Sequence, residues 1–258
     1  VGIGHVRYST HGGNLLENAQ PVLATCNKGQ IAIGHNGNIS NAVDINRRLV
    51  DEGSIFQSTS DTELMLHLIA KSRKPSFDEA LLETLTQMEG AYSLVIIHDN
   101  SLIAVRDPHG FRPLYIGHKE NTYYVASETC AMDILRVEDY RPVEPGELIQ
   151  IDGYGLKSKK IAPDKKRSSC IFELIYFARP DSTVFEHSVH LMRKKMGAAL
   201  SDCDSTEADI VIPVPDSGNS AALGYAERSG IPFELGLTRN HYTGRSFILP
   251  TTSERELA

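Results

Sequence analysis

Gln30–Asn38, QIAIGHNGN, is an apolar, β-prone run that ends abruptly in His35-Asn36-Gly37-Asn38. A short strand that delivers Asn36 and Gly37 to its tip sets a side-chain amide beside an unhindered backbone N–H, and two donors aimed at one point stabilise an oxyanion. The same dipeptide between β-prone segments is also the commonest two-residue hairpin turn, because both residues tolerate positive φ. On these nine residues alone the turn is the simpler reading. The flanking segments GHVRYSTHGG (4–13) and TSDTELML (59–66) weigh toward a site.

Downstream, Ser60 and Glu63 fit a capping box at a helix start, which sets Asp61 in the first turn, where the helix dipole and open N–H groups hold a carboxylate. Most aspartates so placed do nothing else. Upstream, Val1–Tyr8 reads as a buried strand whose following loop, Ser9–Gly13, carries Arg7, Tyr8, Thr10 and His11 at its mouth. An arginine there is suited to clamp a carboxylate through two parallel hydrogen bonds. A surface ion pair for Arg7 and a plain loop position for His11 are the bland alternatives.

Between these segments Asn41–Val50 has helical spacing (Val43, Ile45, Leu49) and stops near Gly53. A second capping box, Ser76 with Glu79, opens a helix whose Leu81, Leu85 and Met88 face a core. From Ala91 the period becomes that of strands: AYSLVIIH, a turn at Asp99-Asn100, and SLIAVR form a hairpin. RDPHGFRPLYIG then turns at Pro108–Gly110, TYYVASE follows a turn at Lys119–Asn121, and Ser127 is placed to cap a short helix through Leu135. A strand Glu147–Ile151 lies between the turns Pro145-Gly146 and Asp152-Gly153. Strands, helices, strands describe an α+β layered domain over residues 1–156.

Lys157–Ser169, KSKKIAPDKKRSS, is basic, contains proline and has no apolar periodicity, so it reads as a linker. Residues 170–258 read as α/β: CIFELIYFARPDS as a strand into a turn, Ser188–Leu200 as a basic amphipathic helix, then a buried strand, a Pro-Asp-Ser-Gly tip, a helix and the strand IPFELGL. Asp216, Ser217 and Gly218 at that tip suit a helix cap and equally an anion site.

With 258 residues the chain has material for two cores. A net charge of -7 argues against a nucleic-acid coat and favours small-molecule partners. Cys26, Cys130, Cys170 and Cys203 stand far apart without CxxC or zinc spacing, which fits a reducing cytoplasm. No apolar run approaches the ~20 residues of a membrane span. The chain opens at Val1 rather than Met, in what reads as the middle of a strand, and is expected to be a fragment.

GHVRYST, AIGHNGN, SDTE, RDPHGFRPL, VASETC, YFARPDS and VPDSG…AALGYAE, in this order, resemble the amidophosphoribosyltransferase family over essentially the whole chain. The glutaminase motifs alone are shared with hexosamine-phosphate synthases, whereas YFARPDS and VPDSG belong to the phosphoribosyltransferase half. The resemblance implies an N-terminal-nucleophile glutaminase, an αββα sandwich, followed by part of an α/β type I phosphoribosyltransferase domain. It implies transfer of the glutamine amide nitrogen to C1 of phosphoribosyl pyrophosphate, the first step of purine biosynthesis, with purine nucleotides as feedback inhibitors and a homo-oligomeric, cytoplasmic enzyme.

By resemblance Asn36 and Gly37 form the oxyanion hole, Arg7 holds the glutamine carboxylate, Asp61 its ammonium, and Tyr8 and Thr10 line the wall. Tyr242 and Arg245 lie on the route between the two sites, and Thr251 matches a position near Mg²⁺. Cys170 matches one ligand of an iron–sulfur cluster, and a [4Fe–4S] group stays open, since one thiolate does not establish a site that needs four.

Two features of the family are not among residues 1–258: a cysteine at the N-terminus and the phosphate-cradling loop. As written, the chain is expected to catalyse neither half-reaction. The alternatives are another amidotransferase of the same nucleophile class, hexosamine-phosphate synthase-like, or a non-catalytic glutamine-binding module.

Overall fold

The computed structural model describes residues 1–6, 16–163 and 165–239, and it divides into two compact units, one of 1–127 with 137–169, the other of 128–136 with the chain from 170 onward. The first unit is built on a six-stranded antiparallel sheet in the order β1-β2-β3-β4-β8-β9. These strands are β1 (Val22–Cys26), β2 (Gly29–Ile39), β3 (Gly90–His98), β4 (Ser101–Arg106), β8 (Glu147–Asp152) and β9 (Gly155–Lys160). A three-stranded sheet, β6-β5-β7, comprises β5 (Tyr115–Lys119), β6 (Thr122–Ala126) and β7 (Asp139–Pro142).

The period of two along each strand divides the core between the two faces of the large sheet. Ile31 and Ile33 of β2, Leu94 and Ile96 of β3, and Ile103 and Val105 of β4 pack with the helices α1 (Ala42–Asp51), α2 (Asp61–Lys71) and α3 (Phe77–Gln87). Their neighbours Val95 and Ala104, with Ile149 of β8, turn the other way onto Ile116 and Val125 of the small sheet and onto Leu114 just before β5. The unit is therefore layered helix, sheet, sheet. The helix after β6, α4 (Thr129–Leu135), groups with the second unit.

α3 forms the anticipated capping box between Ser76 and Glu79, and Leu81, Leu85 and Met88 are buried. α1 buries Ala42, Ile45 and Leu49, and Val43 is exposed because it stands 100° round the helix from Ala42. Glu128, not Ser127, precedes the first turn of α4. Val1–Val6 forms no strand, and Val1 and Val6 are exposed; this segment meets β2 through the His5 side chain, whose Nε2 lies 3.0 Å from the His35 carbonyl, and not through a ladder. Residues 157–160, read as linker, are the end of β9, because pairing with β8 supplies the backbone partners that the lysine-rich composition hides. Lysines on such an outermost strand also discourage further pairing.

The motif RDPHGFRPL makes a buried polar lock. Asp107 accepts from the N–H groups of His109 (2.9 Å), Phe111 (3.1 Å) and Tyr92 (3.3 Å), while Arg106 donates to the carbonyls of Arg112, Val143 and Gly110. Burial pushes the Asp107 carboxyl up and the Arg106 guanidinium down, each partly restored by the other. The lock fixes the start of β3, where Tyr92 faces Gly37 in the register.

In the second unit, Glu173–Phe177 is a π-helical turn and not the expected strand. The buried Arg193 explains this: its guanidinium donates to the carbonyls of Leu174 and Ala178, 2.8 Å each, and so satisfies the end of the turn. Leu174, Ala178, Val184 and Val189 form the core. α5 (Val189–Cys203) and α6 (Asn219–Ser229) cross so tightly that a Cβ on Gly197 or Gly224 would stand within 2 Å of a carbonyl oxygen of the other helix. The two strands expected around the Pro-Asp-Ser-Gly tip reduce to one parallel bridge, Val211 to Phe233, with Ile210, Ile212 and Val214 exposed.

Glu147 supports a pH prediction. Burial raises its carboxyl, but Arg141, the Ser158 hydroxyl and the Glu144 N–H outweigh this and hold it down at about 2. A depressed carboxylate stabilises the fold above its unfolded value and loses that contribution as pH falls through the folded one. Glu147→Gln should cost about 2 kcal/mol at pH 7, discounted for the half-exposed Arg141. The deficit against wild type should shrink between about pH 4.5 and pH 2, as thermal melts across that range will read.

Candidate functional site

β2 is longer than the sequence suggests. It runs without interruption through Asn36 and Gly37 to Ile39, with Asn36 opposite Ser93, Gly37 opposite Tyr92 and Ile39 opposite Gly90. The Asn-Gly pair is therefore neither a hairpin turn nor a strand tip, but part of a ladder. Gly37 has φ 157°, and a Cβ there would stand 2.0 Å from the Ala91 carbonyl oxygen and 2.7 Å from His35 Nε2. Only glycine permits this approach. Asn36 and Gly37 are half-buried and Asn38 is exposed, so the ladder reaches the surface at this point.

Asp61 comes to the same place from α2. Its Oδ2 accepts from the Ile39 N–H at 3.0 Å, two residues beyond Gly37, and its Oδ1 lies 3.5 Å from Nδ1 of the buried His35, one residue before Asn36. The helix start is held by two devices. Ser60 caps Thr62 N, but Glu63 does not complete the expected capping box: its carboxylate turns back to the N–H groups of Gln57 (2.9 Å) and Ser58 (2.8 Å) and to the Ser58 hydroxyl (2.6 Å). Burial raises Glu63, and these bonds with His67 bring it below the ordinary carboxylate range. From the other side, the fully buried Asn18 takes Thr59 N–H on Oδ1 at 2.9 Å and gives Nδ2 to the Thr59 hydroxyl at 3.0 Å. The loop into Asp61 is thus fixed on both flanks, by charge-assisted bonds to Glu63 and by neutral amide bonds to Asn18.

His35 is 4 % exposed and is enclosed by polar partners. Its backbone N–H donates to Gln20 Oε1 at 2.7 Å, Gln20 Nε2 donates to the Thr62 hydroxyl at 3.1 Å, Thr62 Oγ1 lies 3.3 Å from His35 Nδ1, and His35 Nε2 lies 3.3 Å from the Ala91 carbonyl. A carboxylate anchored at a helix start beside half-buried strand backbone is suited to fix the cationic end of a small ligand.

Of the residues singled out from sequence, the structure brings Asn36, Gly37 and Asp61 together. Arg7, Tyr8, Thr10 and His11, and likewise Tyr242, Arg245 and Thr251, lie outside the described residues. Asp216 at the Pro-Asp-Ser-Gly tip pairs with Arg239 at 2.9 Å. Cys170 is a half-buried free thiol of the second unit, whose Cys130 stands 3.8 Å from the Glu128 carboxylate. Among the described residues no group of three or more His, Cys, Asp or Glu side chains is placed to hold a metal, so they supply no donor set for a cluster. Sequence reasoning missed Asn18, Gln20 and Thr62 because nothing periodic marks them. The signal for His35 was present, directly before Asn36, in the motif already quoted.

The model of the glutamine amidotransferase domain family matches residues 5–133. The chain is 47 % identical to an amidophosphoribosyltransferase of Rhizobium etli, over 99 % of this chain and 52 % of that protein. It is 46 % identical to that of Bacillus subtilis, over 98 % of this chain and 54 % of that protein. The chain spans about half the length of the curated relatives it matches. Among solved structures, the glutamine phosphoribosylpyrophosphate amidotransferase of B. subtilis complexed with ADP and GMP superposes with a TM-score of 0.85 at 45 % identity, over 98 % of this chain and 55 % of that one. A structure described as the allosteric regulatory enzyme of purine biosynthesis gives 0.86 at 46 % identity, over 98 % and 55 %. The fold is that of an N-terminal-nucleophile glutaminase followed by part of a phosphoribosyltransferase. No helix among the described residues is long and apolar enough to cross a membrane.

The Gly37 approach predicts a steep local cost. Gly37→Ala should destabilise the protein by about 3 kcal/mol or prevent folding, since a methyl overlapping a ladder carbonyl forces the backbone apart. Gly53→Ala, whose Cβ would meet nothing within 4 Å, is the comparison; it pays only for its positive φ, and thermal melts of both variants will separate the two effects.

Proposed function

The chain belongs to the glutamine amidotransferase domain family, and from that premise we propose that the protein releases ammonia from glutamine and passes it to C1 of phosphoribosyl pyrophosphate. The products are glutamate, pyrophosphate and 5-phosphoribosylamine. The observation that carries the glutaminase reading is the convergence of Asp61 on the Asn36–Ile39 segment.

An amino-acid substrate needs one fixed anion and one fixed cation at its α-carbon, and a reacting carbonyl needs donors where its oxygen becomes an oxyanion. Asp61 is assigned the ammonium, Arg7 the carboxylate, and the Asn36 amide with the Gly37 N–H the developing oxyanion, with Tyr8 and Thr10 beside them. The nucleophile is assigned to a cysteine whose own α-amino group takes the thiol proton, upstream of Val1 in the parent protein. Thiolate attack makes the tetrahedral intermediate, its collapse expels ammonia, and water releases glutamate. Ammonia then displaces pyrophosphate.

For the second reaction we assign Mg²⁺, which when bound would neutralise charge on the departing pyrophosphate, and we assign Thr251 to a position near it and Tyr242 and Arg245 to the ammonia route. A cluster involving Cys170 forms no part of either step. A homo-oligomer in the cytoplasm, inhibited by purine nucleotides, completes the proposal; the B. subtilis relative's complex with ADP and GMP supports the nucleotide part.

Full-length protein should form pyrophosphate from phosphoribosyl pyrophosphate with glutamine as the sole nitrogen source. Asp61→Ala should reduce that rate at least ~100-fold at low glutamine, as expected for loss of a charged contact of about 3 kcal/mol, while the reaction driven by free ammonia persists. Absence of pyrophosphate with either nitrogen source would exclude the phosphoribosyltransferase assignment.

A further inference from the structure

We propose that His35 is a positioning residue of the glutamine site, locked as the neutral Nε2–H tautomer by a closed hydrogen-bond circuit through Gln20 and Thr62. The inference rests on the amidotransferase reading of the site, and the His35 backbone N–H and the Ala91 carbonyl dictate the direction of the bonds they make. A backbone N–H only donates, so the Gln20 oxygen must face His35 N, and its NH₂ must then donate to the Thr62 hydroxyl. A carbonyl only accepts, so His35 Nε2, 3.3 Å from the Ala91 oxygen, carries the ring proton. In the neutral ring that we assign, Nδ1 is then the acceptor, and the Thr62 hydroxyl, 3.3 Å away, has its proton to give. The circuit closes with every donor matched to an acceptor: His35 N to Gln20, Gln20 to Thr62, Thr62 to His35 Nδ1.

The consequence falls on Asp61. Its Oδ1 stands 3.5 Å from Nδ1, a distance at which a protonated nitrogen would form an ion pair with it. With Thr62 feeding Nδ1, the ring presents a lone pair to that carboxylate instead of a proton, and Asp61 keeps its charge for the ammonium it is assigned to hold. The other carboxylate oxygen is fixed by Ile39 N–H. His35 also packs where a Gly37 side chain would be, so one ring sets both the carboxylate and the close approach of the strand. Thr62 is fully buried and Gln20 half-buried, and neither lies on Asp61's own bond to β2.

The test uses full-length protein and glutamate release from L-glutamine. Thr62→Val, which keeps the shape and removes the hydroxyl, should raise KM for glutamine about 10-fold, the worth of one buried hydrogen bond, with kcat changed less than about twofold. Thr62→Ser should restore wild-type KM, a rescue that a purely packing role would not give. Gln20→Met breaks the circuit at a half-buried position and should move KM in the same direction if Thr62→Val folds poorly. In ¹⁵N-histidine-labelled protein at pH 8, the His35 resonances, assigned by their loss in His35→Gln, should show a protonated Nε2 and an unprotonated Nδ1. A wild-type KM in both Thr62→Val and Gln20→Met, or a proton on Nδ1 at pH 8, would overturn the proposal. If wild-type protein releases no glutamate, it is the amidotransferase reading that fails, and the nitrogen resonances still decide the tautomer.

Discussion

The approach of β2 to β3 at Gly37 is the constraint on which the rest of the site depends. Two strands of an antiparallel ladder come together there with no side chain between the Gly37 Cα and the Ala91 carbonyl, and the His35 ring occupies the adjoining space. A one-residue slip in this register would turn the apolar set Ile31, Ile33, Leu94 and Ile96 away from the helices, so the core itself enforces the alignment. The position of Asn36 and Gly37 is thus set by burial of aliphatic side chains several residues away. A site placed within a ladder inherits its rigidity, which a loop of the same sequence would lack.

Polar locks then fix what the ladder leaves undetermined. Asp107 and Arg106 hold the far side, tying Tyr92 N to the turn 107–112. Glu63 and Asn18 hold the near side, tying the loop before Asp61. Buried charges of this kind add little net stability, because desolvation consumes most of their attraction, but leaving one partner unmatched is costly. Their effect here is to make other arrangements of these turns expensive. The three charged groups are spent on backbone N–H and C=O groups more than on each other, as suits residues that shape loops rather than bind ligands.

Much of this was legible in the sequence, for reasons that differ by element. The helix at Ser76 was readable to its last contact, because capping and apolar spacing agree and the side chains act locally. The hairpin of β3 and β4 was readable because its alternation serves two buried faces. The Asn-Gly pair was misread as geometry: local propensity favours a turn, and only pairing with a strand fifty residues away extends β2 through it. Glu63 has the spacing of a capping box, yet the N–H groups of Gln57 and Ser58 compete for its carboxylate and win. CIFELIYF has a strand's composition, and a buried arginine twenty residues later makes it helical. In each miss the deciding partner is remote, and a single sequence does not say which remote residue will arrive.

The same distinction separates the residues of the site by what they can reveal. Gly37 is embedded in the ladder, so any change there perturbs folding before it perturbs chemistry. Asp61 stands at the first turn of α2, where Ser60 caps the helix independently and Glu63 and Asn18 hold the preceding loop. Its carboxylate accepts from one backbone N–H of β2, at the buried Ile39, and lies 3.5 Å from the His35 ring. The helix cap and the preceding loop thus keep fastenings of their own when that carboxylate is removed. Among Asn36, Gly37 and Asp61, it is therefore Asp61 whose loss speaks most directly about the ligand.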